Sequence, residues 1–316
     1  MAREPGRTTD TTTAARRALL SKVDEHELAW AAGFFDGDGW AALVRAKGRR
    51  TGQPHAQINQ GSVTGMPQVL TRFLRAVGVG RVAGPKIEPG RQPLYRWVAS
   101  SRGDVIRTGT LIGPWLSDQK RAQFAAAVGL CFDAMAIDAP AWAAGLFDAE
   151  GSTSLSDHRS HAGYKYAEAT VTQSSPGPIP EELERFAHVV GLGRVYGPYE
   201  QEGATELVYR WRAQQVDEIR RVIHLLQSWL GLVKRQQAFR CLAVVDGQPA
   251  LKRGRADWGS HKTHCVHGHE YETARRRPYV SRGKGVVRRA SKQCLTCVRE
   301  QARIRRTKTA DNGRSS

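Results

Sequence analysis

Ala31-Ala32-Gly33-Phe34-Phe35-Asp36-Gly37-Asp38-Gly39 is answered 112 residues later by Ala143-Ala144-Gly145-Leu146-Phe147-Asp148-Ala149-Glu150-Gly151. Three further blocks repeat in the same order. Gly78-Val79-Gly80-Arg81-Val82 recurs as Gly191-Leu192-Gly193-Arg194-Val195, and Tyr95-Arg96-Trp97 as Tyr209-Arg210-Trp211. Trp115-Leu116 through Lys120-Arg121 recurs as Trp229-Leu230 through Lys234-Arg235. The spacing drifts by only two residues across the four blocks, which marks a tandem duplication.

Each copy has the same coarse pattern. Helical periodicity over 25–37 is followed by alternating text at 40–47 and 55–62, a helix over 66–77, strands over 81–87 and 94–100, and helical text over 105–129 broken near Gly113-Pro114. The second copy repeats this order, with Pro140 at the first position of its opening helix, where the missing N–H costs little. The fold class is therefore α+β: two αββαββα halves related by a pseudo-twofold axis.

Ala29, Gly33 and Gly37 lie at i, i+4 and i+8, as do Ala141, Gly145 and Ala149. Each opening helix thus has a ridge free of bulk that lets a second backbone approach closely, and the natural partner is the other copy. Gly39 and Gly151 follow the last acids, where a helix commonly ends in the left-handed region. Asp38 and Glu150 are then placed together at two negative helix ends, where they repel unless a hard cation sits between them. Magnesium, or manganese in its place, suits such oxygen ligands, and the pairing suits metal-assisted phosphodiester hydrolysis. A calcium loop also contains Asp-x-Asp-Gly, but neither copy supplies the further ligands of that motif.

The two copies closely resemble the signature helices of LAGLIDADG homing endonucleases, and the resemblance extends over most of residues 25–245. It implies a single-chain, double-strand DNA endonuclease, a monomer with an internal pseudo-dimer. It implies catalytic roles for Asp38 and Glu150, with Gln60 and Gln173 orienting solvent and Lys120 and Lys234 offsetting charge at the cut site. Gln57, Arg121 and Arg235 are rival occupants of those positions. It also implies concave sheets laid on double-stranded DNA, with Arg45, Lys47, Arg49, Arg50 and Gln53 as contacts in one half and Arg159, Lys165 and Tyr166 in the other. A DNA-binding regulator without catalysis and an RNA-binding splicing maturase are the alternatives that the same fold admits.

Charge is unevenly spread. Residues 251–316 carry 18 Lys and Arg against 5 Asp and Glu, so this tail holds +13 of the chain's net +18. Such a segment favours a polyanion through counterion release. It also contains Cys265-x3-His269 and Cys294-x2-Cys297, a donor set for one structural tetrahedral zinc, with His261, His264 and His267 as rival ligands. The pattern is similar to the zinc knuckles that accompany bacterial and phage homing nucleases. The expected organisation is a flexible N-terminus (1–24), two halves (25–132 and 133–245), a linker (246–258), a zinc-binding module (259–300) and a basic tail (301–316). With five cysteines, no run of 18 or more apolar residues and no apolar leader, the expectation is no membrane association and a reducing, cytoplasmic, nucleoid-associated location.

Overall fold

The computed structural model describes residues 24–45, 51–132, 134, 139–157, 163–200 and 205–248, together with 276–279, 291–294, 296, 297, 299 and 303. The first half runs α1 (Glu25–Asp38), β1 (Gly39–Val44), β2 (Gln53–Gly61), α2 (Gln68–Val77), β3 (Arg81–Lys86), β4 (Leu94–Ala99), α3 (Arg102–Ile112) and α4 (Asp118–Val128). The second repeats it as α5 (Pro140–Glu150), β5 (Gly151–Asp157), β6 (Lys165–Ser175), α6 (Glu181–Val190), β7 (Arg194–Tyr199), β8 (Leu207–Ala213), α7 (Val216–Leu226) and α8 (Leu232–Asp246). The break expected near Gly113-Pro114 divides the closing helical text into two helices, one more than the αββαββα pattern. In the first half a 3-10 turn at Gly113–Trp115 separates them, and the Ser117 side chain caps the helix that follows.

Each sheet is antiparallel, in the orders β1-β2-β4-β3 and β5-β6-β8-β7. Period-2 alternation sends Ala56, Ile58, Tyr95 and Trp97 of one sheet, and Ala167, Ala169, Val171 and Trp211 of the other, into the core beneath the helices. The opposite faces are polar and accessible. Helix α1 is buried continuously from Leu28 to Asp36, because it lies between both halves and has no solvent side. Residues 1–248 accordingly form one compact unit.

The α1 and α5 backbones touch. A Cβ on Gly33 would lie 1.9 Å from the Trp142 carbonyl oxygen, and one on Gly145 would lie 2.0 Å from that of Trp30. The small-residue ridge therefore does what its spacing predicts.

The reading of Gly39 and Gly151 as left-handed helix ends is corrected. Both are extended, with φ of −88° and −77°. Their missing side chains serve packing instead, since a Cβ would lie 2.4 Å from the Phe35 ring and 2.3 Å from the Phe147 ring.

Residues 249–316 form a second unit. Within it β9 (Arg276–Tyr279) pairs antiparallel with β10 (Ser291–Cys294), Cys294 standing opposite Arg276. Among the described residues no helix is long and apolar enough to cross a membrane.

Candidate active site

Because α1 and α5 run side by side in backbone contact, their last residues are delivered to one place. Asp38 ends α1 and Glu150 ends α5. Burial pushes the Asp38 carboxyl up to about 7, and the neighbouring Glu150 charge adds to the rise, while Gln60, Lys234 and Lys120 pull it down. Glu150 is raised by the same burial and opposed by Lys234 and Lys120. Two half-buried acids thus share a pocket that resists holding both charges without added cations.

Three of the four supporting residues read from the sequence gather here, and Gln173, opposite Tyr209 as Gln60 is opposite Tyr95, holds the matching place in β6. Gln60 Nε2 donates to Asp38. Lys120 Nζ donates to the Gly39 carbonyl and Lys234 Nζ to the Gly151 carbonyl, each at 2.5 Å, so each ammonium sits where its half's helix gives way to its first strand. Burial lowers both lysines, and nearby acids counter it. Gln173 Nε2 is buried with no hydrogen-bond partner. The rivals are elsewhere: Gln57 bonds Asn59 at 2.6 Å, Arg121 bonds the Leu116 carbonyl and Asp118, and Arg235 lines a cavity at the other end of α1.

The donor chemistry fits a hard divalent cation. Two carboxylates, whose ionisation burial opposes, meet at two helix C-termini, and the orphaned Gln173 amide is free to bond a water or a phosphate oxygen. Among the described residues no group of three or more His, Cys, Asp or Glu is gathered. An ion here would therefore take its remaining ligands from other oxygens, such as those of backbone, glutamine, water or substrate.

Two groups that the sequence pattern did not single out lie just behind the acids. Asp36 and Asp148 are buried, and each is bonded by a tryptophan of the opposite half: Trp142 Nε1 to Asp36 and Trp30 Nε1 to Asp148, both at 2.8 Å. Asp36 also accepts from Ser117 N and Oγ, and Asp148 from Gly231 N at 2.7 Å. Arg72 stacks over Trp30 at 3.9 Å and Arg185 over Trp142 at 4.0 Å, completing the mirrored pattern. The symmetry fails at two positions, the first being Ser117, whose hydroxyl Gly231 lacks. Burial and then the Glu182 charge push Asp36 up to about 7, whereas Asp148, with Val69 at the matching place, reaches about 6, mainly by burial. The signal available in sequence was the repeated Trp-x5-Asp spacing, Trp30 to Asp36 and Trp142 to Asp148.

On the open face of the first sheet, Trp40 stacks on His55 with centroids 5.2 Å apart, beside Gln57, Asn59 and Arg96. On the second, Glu168 is ion-paired to Arg212, and Arg210 bonds Thr172 at 3.2 Å. Of the sequence-predicted contacts, Arg45 is exposed beyond β1. Gln53 is spent on the Ser100 carbonyl at 2.8 Å, Lys165 pairs with Asp157 at 2.6 Å, and Tyr166 is half-buried on β6. Lys47, Arg49, Arg50 and Arg159 lie outside the described residues, as do Cys265 and His269. Cys294 closes β10, and Cys297 lies in a helical turn just after it.

No protein-family model matches the chain, and no curated protein does. Solved structures do. The LAGLIDADG homing endonuclease I-GzeII in complex with its DNA target aligns with a TM-score of 0.52 at 15% identity, over 78% of this chain and 94% of that one. The LAGLIDADG meganuclease I-AabMI bound to uncleaved DNA aligns with a TM-score of 0.53 at 16% identity, over 71% of this chain and 91% of that one. At such identity the likeness establishes the fold: residues 24–248 have the LAGLIDADG architecture.

Proposed function

We propose that the chain is a site-specific, double-strand DNA endonuclease, working as a monomer whose two halves each address half of an asymmetric target. The observation that carries this reading is the delivery of Asp38 and Glu150 to one place, beside Lys120, Lys234 and Gln60. A helix pair needs no acids at its ends for stability, and burying two of them is unfavourable without a ligand.

Asp38 and Glu150 would hold magnesium or manganese, which supplies an activated water and stabilises the leaving oxygen. The chain's own residues do the rest. Gln60 fixes the Asp38 carboxylate in one orientation, and Gln173 offers its free amide to a water or phosphate oxygen. Lys120 and Lys234, anchored on Gly39 and Gly151, bring positive charge to the phosphate under attack. The open faces of the two sheets carry the base-reading groups. Because Trp40, His55, Gln57 and Arg96 on one side face Glu168, Thr172, Arg210 and Arg212 on the other, the two half-sites differ in sequence. Cys265, His269, Cys294 and Cys297 would organise the basic C-terminal unit around a structural zinc, and that unit adds phosphate contacts.

The test is incubation with a randomised duplex library and magnesium, followed by sequencing of cut ends. Wild-type protein should yield one staggered double-strand site, while Asp38→Asn and Glu150→Gln each bind the same site without cutting it. Binding without cutting by the wild-type chain, in magnesium and in manganese alike, would make it a DNA-binding regulator instead.

A further inference from the structure

The other end of α1, about eleven residues and roughly 16 Å of helix away from Asp38, opens into a second cavity of about 860 Å³. Its walls come from Asp24 and Glu27 of the α1 start, from residues of α2, and from Leu230, Gly231, Leu232 and Arg235 at the start of α8. Three arginines line it. Arg72 is committed to Glu27, through bonds of 2.8 and 2.6 Å, and Asp24 is committed to capping α1. Arg75 and Arg235 have no hydrogen-bond or ion-pair partner among the described residues, and three arginines against Asp24 and Glu27 leave the lining net positive. Helices α2 and α8 both begin at its wall, and neither is capped by its own N-cap side chain or has an acid in its first turn, although Gly231 N at the α8 start is already bonded to Asp148. Backbone N–H groups at such helix starts have no acceptor within the helix and favour anions.

The duplication supplies an internal control. Gln68, Thr71 and Leu232 of this cavity correspond to Glu181, Glu184 and Asp118 in the other half. There, Glu181 accepts from Asp118 N at 2.9 Å, Asp118 pairs with Arg121, and α6 opens on three acids. The helix starts thus carry acids in their first turns on one side and none there on the other. The remaining wall is apolar, from Met66, Val69, Ala76 and Leu230.

We propose that this cavity binds a small phosphate monoester with an apolar body, of nucleotide size, its phosphate held by Arg75, Arg235 and the starts of α2 and α8. The volume falls within the range of about 300 to 1,000 Å³ for small-ligand sites, and charge-assisted bonds from two arginines suit a dianionic phosphate.

Equilibrium dialysis of the full chain against adenosine monophosphate, inorganic phosphate and adenosine tests this. The monophosphate should bind saturably, at one per chain, inorganic phosphate more weakly, and adenosine not measurably. Arg75→Ala with Arg235→Ala should weaken monophosphate binding at least about tenfold, with the melting temperature unchanged because neither side chain has a partner to lose. Thr71→Glu, which copies the acid of the other half, should weaken it similarly. No saturable binding to the wild-type chain overturns the proposal, as does equal affinity in the variants. Weaker duplex-DNA binding by the variants, without any monophosphate binding, would assign these arginines to the nucleic-acid backbone and overturn it too.

Discussion

Gly33→Ala tests the central joint of the molecule. The new Cβ would stand 1.9 Å from the Trp142 carbonyl oxygen, whereas carbon and oxygen in such contacts settle at roughly 3.3 Å or more. The helices must therefore part by roughly 1.4 Å at their crossing, a shift that stretches both tryptophan–aspartate bonds beyond useful length. Overpacking of this kind costs about 1 to 3 kcal/mol, and each buried polar group deprived of its partner about 1 to 3 kcal/mol more. Against this, replacing glycine by alanine inside a helix gains about 1 kcal/mol. The net expectation is a loss of at least about 2 kcal/mol. Gly103→Ala is the matched control, because a Cβ there meets nothing nearer than Ser101 Oγ at 4.0 Å, and it should be neutral or gain up to about 1 kcal/mol. Urea unfolding followed by tryptophan fluorescence measures both. If Gly33→Ala unfolds at the wild-type urea midpoint, the backbone contact is not the joint described.

Trp30→Phe removes a donor that lowers the Asp148 pKa, so it should raise that carboxyl further and cost about 1 to 3 kcal/mol, read by the same unfolding assay. Asp36 and Asp38 are raised from an ordinary 3.8 to about 7, so each binds its proton more tightly folded than unfolded. Their contribution is full below pH 3.8 and is lost as pH rises through about 7, so the metal-free chain should lose stability across that window. Magnesium should reverse much of the loss, and an identical pH profile with and without it would speak against ion binding at Asp38 and Glu150. Metal analysis of purified protein should find about one zinc per chain, absent from a Cys294→Ser, Cys297→Ser double variant. Removing residues after Ala250 should leave a folded nuclease whose log affinity falls less steeply with log salt, by about 0.9 for each lost phosphate contact.

The duplication and the helix pair were legible because small residues recur at helical spacing, a purely local signal. The choice of Gln60 over Gln57 was not, since both occupy one strand. Only the register, Gln60 opposite Tyr95 and Gln57 opposite Val98, carries the former to the end of β2 beside Asp38. Gly39 and Gly151 misled a local rule because the rings that demand their smallness lie a full turn back in the same helices. Asp36 and Asp148 were hidden because their partners are 106 and 118 residues distant in sequence.

Those crossed bonds make each half the custodian of the other's acid. Trp30 belongs to the first copy yet serves Asp148, and Trp142 belongs to the second yet serves Asp36. A half excised alone would keep a buried aspartate whose donor had been left on the discarded piece. A hybrid with a half from a relative inherits the same debt unless the incoming helix brings a matching donor. Drift in either copy is therefore answerable to the other, so the two halves are free to diverge across their open sheets but bound to change together along α1 and α5.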